Sequence, residues 1–220
     1  MTGDEPFIDW AWIIRNLDEI GQRTVEHVVM TAIAVAVGFV ISFGLALAMR
    51  RLPRLHPPII GIAGILYAIP SLALFALLIP FTGLSLLTAE IALVSYTILI
   101  LVRNILAGLD SVPAEVLEAA DGMGFTGSQR LWRVELPMAL PIVVAGLRIA
   151  TVTTVGLVTV TSLIGQGGLG YLIVNIGLSR FFATALYVGA IGSVLLAVAA
   201  DLGFIGLQRT LTPWARARGA

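Results

Sequence analysis

The sequence predicts an all-α, polytopic membrane protein with five transmembrane helices. Three observations carry that expectation. Mean hydropathy is +1.00, composition is 58% hydrophobic against 12% charged, and five long stretches are almost free of charge. Soluble domains carry about 25% charged residues, so composition alone sets this chain apart. A hydrocarbon core of about 30 Å takes about 20 residues of helix. An open strand cannot satisfy its backbone in lipid, so the stretches read as helices.

The first span runs from about residue 24 to 49 and stops at Arg50 and Arg51. The second, 57–80, holds no charged residue, and Pro70 falls in its middle. The third, 84–109, has Glu90 near its start and Arg103 near its end; Glu90 is expected to be wet at the outer interface. The fourth, 141–164, carries Arg148, and the fifth, 182–207, is charge-free up to Asp201. Ahead of them, residues 1–23 begin with acidic residues where a signal peptide would be basic. Trp10, Ile13, Ile14, Leu17 and Ile20 fall at helical spacing, which predicts an amphipathic helix on the membrane surface anchored by Trp10 and Trp12. Residues 213–220 form a tail.

Arginine placement orients the bundle. With the N-terminus outside and the C-terminus cytoplasmic, ten of the thirteen Arg lie inside and only Arg15, Arg23 and Arg180 lie outside. Residues 163–179 are uncharged too and admit two readings. One is a sixth span, which would send the Arg-bearing tail outside. The other, preferred here, is a glycine turn followed by a short helix at the outer face, because glycines start a helix poorly.

Some chemistries are absent from the composition. There is no Cys and no Lys, which removes thiolate ligands, disulfides, Schiff bases and a phosphate loop with its lysine. Net charge is zero, so no basic field gathers nucleic acid. His27 and His56 sit at opposite faces of the first span and cannot share a metal; both are expected at interfaces.

The informative segment is the connection 110–140, far longer than the usual four to six residues (about that median). Ser111, Pro113 and Glu115 form a helix start, and Gly122 or Gly124 can supply a left-handed C-terminal residue. Thr126 with Gln129 has the capping-box spacing, and a second short helix is expected to run to about Leu136 and close at Pro137. Two capped helices on a glycine elbow read as a docking element. Small Ala119, Ala120, Gly122 and Gly124 would let a partner's backbone approach, with Glu118 and Asp121 as acceptors.

Glu118-Ala119-Ala120, three residues on Gly124, then Val134, Leu136 and Pro137 at fixed spacing, resemble the EAA loop of ABC-importer permeases. The segments Tyr67–Pro80, Leu101–Leu109 and Ile164–Gly170 are similar to permeases for osmoprotectants such as glycine betaine, carnitine and choline. The resemblance implies the type I, methionine-permease-like fold in the bacterial cytoplasmic membrane. It implies no cofactor in this chain: ATP and magnesium would be held by a separate ATPase. An extracytoplasmic binding protein would deliver the solute, and a second permease chain, identical or similar, would complete the pathway. In that setting Glu118, Ala119, Ala120, Gly124, Val134, Leu136 and Pro137 would form the ATPase-coupling site.

Other residues keep two readings each. Pro70 with Tyr67 and Ser71 marks either a translocation path or a packing kink. Tyr96 either offers its ring to a cation or fills the core. Thr151, Thr153, Thr154, Thr159, Thr161 and Ser162 either line a conduit or hold helices together. Arg103 and Arg148 either snorkel or pair with Asp110 or Asp201. Gly165, Gly167, Gly168 and Gly170 form an outer-face hinge or a tight turn. The alternative functions are a permease for another solute such as an amino acid, and a secondary transporter or channel. Against the latter stand the lack of an inverted repeat or filter motif and the capped helices it leaves unexplained. An intramembrane enzyme lacks an identifiable catalytic set.

Overall fold

The structure, a computed structural model, describes residues 8–212. The acidic start of the chain and the tail 213–220, with Arg216 and Arg218 of the charge argument, lie outside the described residues. Ten α-helices follow one another among the described residues: α1 (Trp10–Arg15), α2 (Leu17–Arg51), α3 (His56–Ala68), α4 (Ser71–Thr82), α5 (Leu86–Asp110), α6 (Ala114–Gly122), α7 (Gly127–Arg130), α8 (Leu136–Thr161), α9 (Leu169–Tyr171) and α10 (Ala183–Leu211). No strand occurs among the described residues.

α5 is the central post, packed against both α2 and α8, which also touch each other. Along α2, Met30 and Ala34 pack with Ala89 and Leu93, Gly38 lies against Thr97 and Leu101, and Ala46 and Met49 reach Val102 and Leu106. Both helices therefore run in the same direction. The chain must travel back to the far end between them, so α3 and α4 together make a return crossing. α8 runs the other way, with Gly146 on Asn104 and Ala139 on Gly108, and α10 reverses again, placing Asp201 beside Arg148. Four helices among the described residues are long and apolar enough to cross a membrane, or five with the bent pair α3–α4 taken as one span.

The second crossing is not the continuous helix expected over 57–80. α3 and α4 meet at 101°. Pro70 has no N–H and pushes the residue before it out of the helical region; Ile69 accordingly sits at φ −66°, ψ 129°. The Tyr96 hydroxyl donates to the Ile69 carbonyl that the break exposes, and the Tyr67 ring meets Tyr96 edge-on at 6.0 Å.

Three other expectations are corrected. The first span is part of a 35-residue helix that begins at Leu17, so the boundary at 23 falls inside it and the separate surface helix shrinks to the six residues of α1. Asp9 caps α1 through the Trp12 N–H, and its own N–H donates to Thr184 on α10. Trp12 packs edge-on against Phe182 and is half-buried, while Trp10 stays exposed. Glu90 is buried, and neither carboxylate oxygen has a hydrogen-bond partner among the described residues. Five hydroxyls of the fourth span, on Thr151, Thr154, Thr159, Thr161 and Ser162, each donate to a carbonyl three or four residues back and not across to another helix, satisfying themselves locally.

Close packing of α5 on α8 is set by glycine. A Cβ at Gly146 would stand 2.4 Å from the Asn104 Cβ, whereas one at Gly156 on the same helix would meet nothing. Gly146→Val should cost about 1–3 kcal/mol by overpacking and lower the thermal unfolding midpoint in detergent. Gly156→Val should leave that midpoint nearly unchanged.

Candidate functional site

Two clusters carry chemistry, one at each end of the bundle. The first is the hairpin between α5 and α8. α6 ends in a left-handed glycine motif: the Phe125 N–H donates to the Ala120 carbonyl at 3.1 Å and the Gly124 N–H to Asp121 at 2.9 Å, the two bonds of a Schellman cap. Gly124, not Gly122, supplies the positive φ, +79°. Thr126 then caps α7 with the reciprocal Gln129 bonds the spacing predicts.

Pro137 does not close a second short helix. It sits in the first turn of α8 and cannot donate to the carbonyl four residues back. The backbone instead widens into a π-helical turn, Leu131–Glu135, where the Leu136 N–H reaches Leu131. α7, the turn and α8 thus form one helical run.

That turn brings together a charge cluster. Arg130 donates to Asp121 at 2.6 Å and to Glu135 at 3.0 Å. The second Glu135 oxygen accepts from Arg50 at the end of α2. Glu135 is only 2% exposed, and both of its oxygens are matched by guanidiniums, the condition under which a buried carboxylate is tolerated. The Glu135 hydrogen bond, with Asp121 beside it, raises the Arg130 pKa above its ordinary value.

Of the motif residues, Glu118 and Ala119 are exposed, as are Gly124 and the neighbouring Met123, which is 68% exposed. Ala120 is 1% exposed. It faces its own subunit, so its small side chain makes room inside the hairpin and not for a partner. Val134, Leu136 and Pro137 are half-buried where the hairpin joins α8.

The second cluster is the turn 165–170. Gly165 and Gly168 take φ of +80° and +81°. Gly167 and Gly170 are there for space: a Cβ would stand 2.0 Å from Glu26 Oε2 or 2.2 Å from the Thr159 carbonyl oxygen. α2 grips the turn. Glu26 accepts from the Gly168 N–H at 3.0 Å and from Arg23 at 3.0 Å, and Arg23 lies over the Tyr171 ring at 3.8 Å. His27 is fully buried, not interfacial. Its Nδ1 accepts from the Leu169 N–H at 3.2 Å, which leaves Nε2–H to donate to the Val155 carbonyl at 2.9 Å. Past the turn, Leu169–Leu178 is a short apolar helix of ten residues.

The candidate path residues lie together at the break after Ile69: Tyr67 and Pro70 are exposed and Ser71 half-buried, while Tyr96, a core residue, meets the Tyr67 ring edge-on. Arg148 pairs with Asp201, with Nη2 at 2.8 Å from Oδ2, whereas Arg103 is exposed. No group of three or more His, Cys, Asp or Glu able to hold a metal occurs among the described residues.

Residues 25–216 match the family of binding-protein-dependent transport system inner membrane components, and the chain belongs to that family as a multi-pass permease. It is 38% identical over 207 residues to the osmoprotectant import permease protein OsmW of Salmonella typhimurium, covering 92% of this chain and 96% of that one. It is 35% identical over 198 residues to the glycine betaine/carnitine/choline transport system permease protein OpuCB of Bacillus subtilis, covering 90% and 91%. Among solved structures, an inward-facing MetNI methionine ABC transporter superimposes with a TM-score of 0.77 at 25% identity, over 88% of this chain and 96% of that one. The fold is that of a type I ABC importer permease.

Sequence reasoning missed Arg50, Arg130 and Glu135 as a unit, and Glu26 with His27. Residues five apart do not face each other on an α-helix, so the Arg130–Glu135 pair was invisible without the π turn. Substitution should separate strain from space at these glycines. Gly124→Val forces a β-branched residue to a positive φ, costs about 1–2 kcal/mol and should abolish solute uptake with the protein still inserted. At the other end, Gly170→Ala meets backbone and should lower the unfolding midpoint more than Gly167→Ala, whose clash is with a movable carboxylate.

Proposed function

We propose that this chain is the translocating subunit of an ATP-driven importer for small quaternary-ammonium osmoprotectants of the glycine betaine, carnitine and choline type. The observation that carries the reading is the capped hairpin, which offers Glu118, Ala119 and Met123 on an exposed surface while its base is tied into the bundle. In this reading residues 110–140 are cytoplasmic and seat in a separate ATPase that holds ATP and magnesium. Arginine counts support an outside N-terminus and a cytoplasmic C-terminus. A binding protein delivers solute at the face of the 165–170 turn. A second permease chain, identical or similar, supplies the other wall of the pathway, with the break at Pro70 and the exposed Tyr67 on this chain's side.

A permease shifts between inward and outward states only through contacts that differ between them, and the hairpin is where such contacts are made. The solute class rests on the relatives at 35–38% identity. The alternative, an amino acid, has the methionine transporter's fold in its favour. The deciding experiment reconstitutes the chain with its ATPase and binding protein in proteoliposomes. ATP-dependent uptake of labelled glycine betaine, carnitine or choline, uncompeted by methionine, is the expected result; uptake of methionine alone overturns the solute class, and uptake without any ATPase overturns the importer. Ala119→Trp together with Glu118→Arg should abolish co-purification of the ATPase while leaving membrane insertion intact.

A further inference from the structure

The charge cluster at the inner end and the grip on the glycine turn at the other end share one element. α2 is unbroken from Leu17 to Arg51. Its last turn holds Glu135 through Arg50, and three turns from its start Glu26 and His27 hold the backbone of Gly168 and Leu169. Glu135 is the junction. One oxygen is held by Arg130, which belongs to the hairpin and also reaches Asp121 at the end of α6. The other is held by Arg50, eighty-five residues away in sequence. The series Asp121, Arg130, Glu135, Arg50 thus alternates acid and base from the tip of the hairpin to α2, and its buried centre is the one member with no second source of solvation.

We propose that Glu135 is the positioning residue of the transport cycle, transmitting displacement of the hairpin into α2 and through α2 to the 165–170 turn. The inference rests on the coupling role given to the hairpin under Proposed function. Glu135 suits the task because its two oxygens are divided between the two bodies that must move together. An alternative in which the cluster only stabilises the fold uses Arg50 solely to neutralise the buried Glu135, so that losing Arg50 would lower stability and not coupling. Coupling between sites requires an element that both of them bias, and a single helix fastened at both ends to polar partners provides one.

The test uses the full transporter in proteoliposomes and reads solute taken up per ATP hydrolysed. Glu135→Gln and Arg50→Gln should each lower that ratio about ten-fold, within the range of ordinary coupling energies. The double variant should be no worse than either single one. Arg50→Lys, which keeps a cation on the Glu135 carboxylate, should recover most of the ratio. A merely structural role would reduce the amount or the unfolding midpoint of the protein and leave the ratio unchanged. Arg50→Gln, at a partly exposed position, gives the same reading should Glu135→Gln fail to insert. A ratio within two-fold of the unsubstituted protein in Arg50→Gln, with ATPase still bound, overturns the relay alone. If the unsubstituted chain binds no ATPase at all, it is the coupling role of the hairpin that falls.

Discussion

Close approach of α5 to α2 and α8 is the contact on which the bundle is built. Lipid tails are as apolar as leucine, so burial of hydrocarbon does little to bring helices together in a bilayer, and small residues that let backbones approach take over. Gly38 against Thr97, Gly146 against Asn104 and Gly108 against Ala139 supply those approaches at three heights on the same post. Fixing α2 and α8 on α5 in this way determines everything at their ends. It sets where Arg50 meets the hairpin, where Glu26 and His27 meet the glycine turn, and which way the broken pair α3–α4 must return.

Polar groups within the bundle follow a consistent logic. Hydroxyls on α8 bond to their own helix, Tyr96 closes the carbonyl exposed by Pro70, and His27 uses both ring nitrogens between α8 and the turn after it. Arg148 and Asp201 neutralise each other between α8 and α10. The exceptions among the described residues include Glu90, a buried carboxylate with neither oxygen matched, the Thr31 hydroxyl and the Asn175 amide oxygen.

Much of this was legible from residues alone, for definite reasons. Span positions follow from long uncharged runs, and the Thr126–Gln129 box and the glycine-ended α6 follow from short-range hydrogen-bond rules. Pro70 marked a kink in a continuous span and not the 101° break, because a proline removes one donor and leaves the direction of the next helix to tertiary packing. The hairpin was legible as two capped helices on a glycine elbow, but Ala120 was assigned to a partner because sequence gives no helix orientation to a nine-residue segment. Pro137 was read as a stop because its missing N–H usually ends a helix; here it opened a π turn that no residue pattern forecasts. His27 looked interfacial, and Glu26 carried no signal, because their partners on the glycine turn are backbone groups 142 positions away.

α2 carries a further consequence for the surrounding bilayer. Its two polar fastenings, at Glu26 and Arg50, are separated by about 36 Å at 1.5 Å per residue, slightly more than a hydrocarbon slab of about 30 Å. The fastenings therefore bracket the acyl region, and the helix acts as a gauge of its depth. A membrane thickened well beyond that spacing would drag one charged end into hydrocarbon, while a thinned one would force the rod to lean. Each ångström of mismatch with this single helix costs a fraction of a kcal/mol, which tilting of the rod or local adjustment of the bilayer absorbs.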